Sequence, residues 1–303
     1  MTTRKIVLLA VFFALLAVCI VQGVLGSINP VKIIKTDASP DTITISTATE
    51  QTVLSLNNGS WFIGDDNYVA TKTDVDSMIK AIKEIKVLDK VGRVGSAQDE
   101  KYNLTDEKAK TVTAVKAGKE IAVIRIGKTT STNAQTYACV NGKNDIYLLS
   151  GNLVSTFSKS AAELRSKTIY TVEENDFVSA QVTKGSRTWG IEKNPNDKNS
   201  WILTGAAPEM QLDQELARSW VQSICFMNIN SWIDDGTPLP ANKLTSFQMQ
   251  IKSGATIVVD IYEQPAGDDT KYIGTCNLTP HKFDLTKYLT EKFAKDCTEL
   301  QTK

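Results

Sequence analysis

Histidine is almost missing from this chain: His281 is the single one among 303 residues. Chemistry that needs two or three imidazoles is thereby excluded. No His-Glu-x-x-His pair, no Gly-x-Ser-x-Gly elbow and no zinc-type cysteine spacing occurs, which removes the usual frames of zinc proteases, serine hydrolases and zinc knuckles. An excess of either charge is also lacking, because 34 Lys and Arg offset 34 Asp and Glu. A nucleic-acid binder relying on bulk electrostatics would be basic, so no nucleic-acid partner is expected. Hydrophobic residues at 42% and charged residues at 22% are ordinary for a folded chain and argue against general disorder.

The remaining polar features have structural explanations. Ile126-Gly127-Lys128-Thr129 has the tail of a phosphate loop, but the glycine required five positions before Gly127 is Ala122, so the segment reads as the end of a strand. His281 follows Thr279-Pro280 and reads as a surface histidine in a loop. The pairs Asp65-Asp66, Glu173-Glu174, Asp234-Asp235 and Asp268-Asp269 lack the alternating ligands of a calcium loop and suit turns instead. No catalytic residue, metal ligand or cofactor is expected. Of the five tryptophans, Trp61, Trp201 and Trp220 match apolar patterning, whereas Trp232 is offset from the helical stripe and is the better candidate for a contact surface.

One long uncharged stretch is present. Between Lys5 and Lys32 lie 26 residues without a charge, and about twenty helical residues cross a bilayer core. Ile6–Leu25 is therefore expected to span a membrane, with Arg4 and Lys5 holding its start in the cytoplasm. Cleavage near Val24-Leu25-Gly26 or Val21-Gln22-Gly23 and lipidation of Cys19 are the alternatives, and the length of the run favours an uncleaved anchor. The expected location is the cell membrane, single-pass, with the body extracytoplasmic. Cys139, Cys225, Cys276 and Cys297 would then lie outside, as buried thiols or as bridges in one of three connectivities.

Beyond the anchor the pattern repeats. Alternating strands around Asn58-Gly59 lead to a helix with Val75, Met78, Ile79, Ile82 and Ile85 on one face. Hairpins around Gly118 and Gly142 follow, then a helix over Gly151–Lys167. Shifting by 142 residues pairs Met78 with Trp220, Ile79 with Val221, Ile82 with Ile224, Ile85 with Met227, Val87 with Ile229 and Val91 with Ile233. All six pairs are apolar, which chance would supply about once in two hundred trials at a fixed shift. The closing helix recurs over Asp284–Cys297. The expected fold is α+β: an N-terminal transmembrane helix within 1–27, a stalk over 28–40, and two tandem related modules over 41–172 and 176–303. Each module would be a mostly antiparallel sheet with two packed helices.

Trp61-Phe62-Ile63, Tyr68-Val69-Ala70, Ile126-Gly127, Tyr137, Ile146-Tyr147-Leu148-Leu149 and Leu164-Arg165-Ser166-Lys167 agree in order and spacing with one family. In this the chain resembles the domain of unknown function 4340 family over most of 41–170 and more loosely over 176–297. It departs at Asn103, where relatives often carry glycine. The resemblance implies a membrane-anchored protein encoded beside ABC-type transport components similar to gliding-motility auxiliary proteins. The expected function is accordingly a non-enzymatic, membrane-anchored extracytoplasmic accessory module that binds a component of an ABC-type transport system. Under that reading Arg165 and Lys167 are candidate partner contacts, although cations at a helix C-terminus also suit its dipole. The alternative is an extracytoplasmic ligand-binding protein for an envelope glycan, using a cleft between the copies; a hydrolase is the weaker third reading.

Overall fold

Period-two burial dictates most of the chain. In Thr42–Ser46 the buried residues are Ile43 and Ile45, and in Lys243–Ile251 they are Thr245, Phe247 and Met249. Such alternation places one face on a core and the other toward solvent. A computed structural model describes residues 11–21, 32–197, 200–207, 209–266 and 269–302. It divides into two compact units, residues 1–165 and 166–303.

The first unit carries a helix α1 over 11–21 and one ten-stranded antiparallel sheet. Its strands are β1 (Lys32–Lys35), β2 (Thr42–Ser46), β3 (Gln51–Asn57), β4 (Ser60–Ile63), β5 (Tyr68–Val69), β6 (Glu84–Arg93), β7 (Lys110–Lys116), β8 (Lys119–Thr129), β9 (Gln135–Val140) and β10 (Asp145–Ser150). They lie in the order β1-β6-β10-β9-β8-β7-β2-β3-β4-β5. Helix α2 (Lys72–Lys83) buries Val75, Met78 and Ile82 on this sheet. Helices α3 (Ser96–Tyr102), α4 (Leu153–Thr156) and α5 (Ala161–Leu164) are short. Ile43, Leu54, Ile124 and Phe157 are fully buried in the core, and each such side chain contributes about 1.5–3 kcal/mol by leaving water.

Two positions in this unit need particular backbone chemistry. Asn103 closes α3 in the left-handed conformation, φ 57° and ψ 43°, which glycine and asparagine tolerate best. Asparagine thus serves here as the glycine expected from the resemblance would. Gly127 sits where β8 and β9 shift register between Ile126 and Thr129. A Cβ there would collide with the Tyr102 carbonyl oxygen, so the α3 turn can cross the strand only over a glycine. The phosphate-loop-like segment is thus part of a bulged strand.

The second unit contains strands β11 (Thr168–Thr171), β12 (Phe177–Lys184), β13 (Arg187–Lys193), β14 (Trp201–Thr204), β15 (Phe226–Asn228), β16 (Ser231–Trp232), β17 (Lys243–Ile251), β18 (Thr256–Ala266), β19 (Asp269–Cys276) and β20 (Thr279–Leu285). β11 and β15 form a ribbon, and the other eight lie in the order β14-β13-β12-β17-β18-β19-β20-β16. Helices α6 (Gln214–Ile224) and α7 (Lys287–Phe293) accompany them. Phe177, Val182, Val221, Phe247 and Phe283 are fully buried in this core. At the sheet's edge the Gln214 side chain accepts from the Trp201 backbone N–H at 2.8 Å and donates to the Trp201 carbonyl at 3.1 Å. That amide occupies the place of a neighbouring strand.

The expected α+β plan is overturned. Among the described residues strands dominate, arranged in three antiparallel sheets, with short helices. The two units are not equivalent: where the first has the continuous strand β6, the second has separate β15 and β16, paired with β11 and β20. The expected closing helix over Gly151–Lys167 is instead α4 and α5, because Asn152 and Ser160 each cap their own turn. Likewise Asp284 and Leu285 end β20 before α7 begins. Ile85, expected at the end of the helical stripe, belongs with Val87 to β6, since period-two burial takes over after Lys83. The expected transmembrane helix is corrected too: no helix among the described residues is long and apolar enough to cross a membrane. The rest of the expected span, 6–10 and 22–25, lies outside the described residues, as does most of the expected stalk before Lys32.

Candidate functional site

Helix α6 starts on Asp213, whose carboxylate accepts from the backbone N–H groups of Glu215 and Leu216 at 2.9 and 3.0 Å, a capping arrangement worth about 1 kcal/mol. From there Ala217, Trp220, Val221 and Ile224 face the core. Helix α7 starts on Thr286, whose hydroxyl accepts from Leu289 N–H at 3.2 Å, and buries Thr290 and Phe293. The two helices are tied by Trp220, whose indole N–H donates to the Lys292 carbonyl at 2.9 Å. Trp189 on β13 donates to the Lys295 carbonyl at 3.1 Å, and its ring stands 5.0 Å from that of Trp220. The Trp220 indole thereby satisfies a carbonyl that the last turn of α7 leaves without a helical partner, and Trp189 holds the chain just beyond that helix.

Between α6 and α7 lies a groove of about 330 Å³, lined by Leu216, Trp220, Tyr288, Glu291, Lys292 and Glu299 among others. Leu216 and Tyr288 turn toward solvent, 43% and 73% exposed. Phe226, whose carbonyl accepts from Lys292 Nζ at 2.6 Å, is exposed as well. Burial pushes the Lys292 amine down to about 8 and the neighbouring Cys225 thiol up to about 11. Burial likewise raises the Cys139, Cys276 and Cys297 thiols. Nucleophilic cysteines are shifted the other way. All five cysteines are free thiols, so the open disulfide question resolves to no bridge in this structure. Among the described residues no three His, Cys, Asp or Glu side chains gather as they would around a metal ion.

The residues singled out by sequence have definite places. Trp232, on β16, is half-buried; its indole N–H donates to the Ser166 carbonyl at 3.0 Å, and its ring meets His281 and Phe283 edge-on. His281 is buried, 4% exposed, with Nδ1 2.9 Å from the Asp235 carboxylate. Arg165 follows the four-residue α5 and lays its guanidinium over the Tyr68 ring, 3.7 Å from the centroid. Lys167 is exposed, and its carbonyl accepts from Ile229 N–H at 2.9 Å. Leu216 and Tyr288 were missed by sequence reasoning. Their only signal is an apolar side chain off the buried stripe of a short helix, which composition alone does not distinguish from ordinary surface.

A family model described as a domain of unknown function (DUF4340) matches residues 61–246. The match takes in α6 but stops before α7, so it covers one wall of the groove. No curated protein and no solved structure gives a match.

Proposed function

Since the chain belongs to the DUF4340 family, we propose that it is a non-enzymatic accessory module that binds a membrane subunit of an ABC-type transport system, on the outer side of the membrane. The resemblance set out above, which implies relatives encoded beside such transport components, motivates this reading. The observation that carries it is the α6–α7 groove, with Leu216 and Tyr288 exposed beside it. Apolar side chains held out over a concave surface, with Glu291 and Glu299 at its margin, form the core-and-rim arrangement of a protein contact. Tyrosine in particular supplies a large contact area with few torsions to freeze.

The test is site-specific photocrosslinking in intact cells. A benzophenone amino acid replacing Tyr288 is expected to form an adduct with an ABC-type membrane subunit, and Leu216→Glu is expected to abolish that adduct without lowering the melting temperature. Absence of the adduct, or its persistence in Leu216→Glu, rejects the reading.

A further inference from the structure

The turn joining β12 to β13 sets two cations opposite one another. Lys184 and Arg187 are cross-strand partners, one rung beyond the pair Thr183 and Thr188, whose hydroxyls lie 3.0 Å apart. Directly opposed like charges destabilise a strand pair. Side chains alternate along a strand, so Lys184 and Arg187 continue the sheet face of the buried Val182 and Trp189 out to the turn, where both cations are exposed. Among the described residues neither cation has a carboxylate within ion-pair distance.

Elsewhere in the chain the same motif is neutralised. Lys116 and Lys119 face each other across the β7–β8 turn. There the Asp41 carboxylate lies 3.6 Å from Lys116 Nζ and accepts from the Ala117 backbone N–H at 2.9 Å. Its pKa is lowered, chiefly by that backbone hydrogen bond and also by Lys116. A carboxylate is thus what this protein itself places on an opposed cation pair.

Lys184 and Arg187 line a cavity of about 800 Å³ whose walls include Trp189, Ala207 and Met210, within the size range of small-ligand sites. The carboxylate at its margin, Asp296, is engaged in capping, accepting from the backbone N–H and the hydroxyl of Thr298 at 3.0 and 2.7 Å. Lys295 is paired with Glu299 at 3.0 Å. Asp296 also feels Arg187, which helps to lower its pKa after the Thr298 hydrogen bonds, but the two form no ion pair. Lys184 and Arg187 therefore stand with that single capping carboxylate at one end of a cavity with an apolar wall. We propose that this cavity binds an amphipathic organic anion, its carboxylate between Lys184 and Arg187 and its apolar body along Trp189 and Met210.

The experiment is a titration of the ¹⁵N-labelled full chain with octanoate, with inorganic phosphate and with octanol. Octanoate is expected to shift the amides of residues 184–189 and 205–207. Its affinity is expected to fall at least about tenfold in the double variant Lys184→Gln, Arg187→Gln, as loss of charge-assisted hydrogen bonds requires. It is also expected to fall with added salt in the unaltered chain, a measurement that needs no variant to fold. The proposal is overturned if octanoate up to about 10 mM, a very weak affinity, leaves those amides unmoved, or if its affinity ignores salt or the double substitution. It is equally overturned if phosphate or octanol binds as tightly.

Discussion

Trp189 and Trp220 stand 5.0 Å apart, centroid to centroid; the Trp220 indole N–H donates to the Lys292 carbonyl in the last turn of α7, and that of Trp189 to the Lys295 carbonyl just beyond the helix. The rings fill the core while their polar ends hold α7 and the chain that leaves it, so the pair positions one wall of the groove. Replacing Trp220 by Ala should cost about 3–5 kcal/mol through the cavity it leaves. Trp220→Phe should keep most of the packing yet lose the Lys292 contact, costing about 1–3 kcal/mol. Urea denaturation of both variants measures the difference.

Asn103 and Gly127 make a paired test in the first unit. Asn103→Gly should be nearly neutral, because either residue accepts φ 57°, whereas Asn103→Ala should cost about 1–2 kcal/mol. Gly127→Ala should cost about 1–3 kcal/mol as the Tyr102 carbonyl is forced aside. Thermal unfolding followed by circular dichroism ranks the three.

Arg165 should act through packing. Its guanidinium caps the Tyr68 ring at 3.7 Å, so Arg165→Ala should cost about 0.5–2 kcal/mol, and Arg165→Lys should recover only part because a lysine cannot stack its plane. Chemical denaturation distinguishes the two substitutions; equal stability of Ala and Lys variants would show that the stack contributes nothing.

Opposed pH effects should meet at the end of α6. Lys292 titrates near 8 when folded against an ordinary value of 10.5. The unfolded chain therefore binds more protons above pH 8, and this group makes stability rise with pH up to about 10.5. Cys225 titrates near 11 against 9.0; its contribution is complete below pH 9 and is lost as pH rises toward 11. Lys292→Met should remove the rise between pH 8 and 9, and Cys225→Ala should lessen the fall between 9 and 11. Denaturation midpoints at half-unit pH steps measure both.

Strands and turns were largely legible from residue pattern. Ile43 and Ile45 alternate cleanly, and Asn58-Gly59 marks its hairpin with both residues at positive φ, 48° and 82°. The helical stripe through Val75, Met78 and Ile82 was equally clear. What failed was the extent of helices. Ile85 satisfies a helical spacing from Ile82 and a strand alternation with Val87 alike, and tertiary pairing of β6 with β1 and β10 decides between them. Contact sites were less legible. Trp232 drew notice by its chemistry, while the exposure of Leu216 and Tyr288 depends on how α6 and α7 pack, which no short window encodes. The opposed Lys184 and Arg187 were visible only as a turn, because register is what turns two neighbours into a charge conflict.

The Gln214 amide on the edge of β14 has a bearing on assembly. Trp201 has both backbone groups already occupied there, and the strand is only four residues long. A second molecule extending the sheet would have to evict that side chain before gaining a foothold. Runaway strand-to-strand polymerisation, the standing hazard of any large open sheet, is thus obstructed on this flank by a single glutamine.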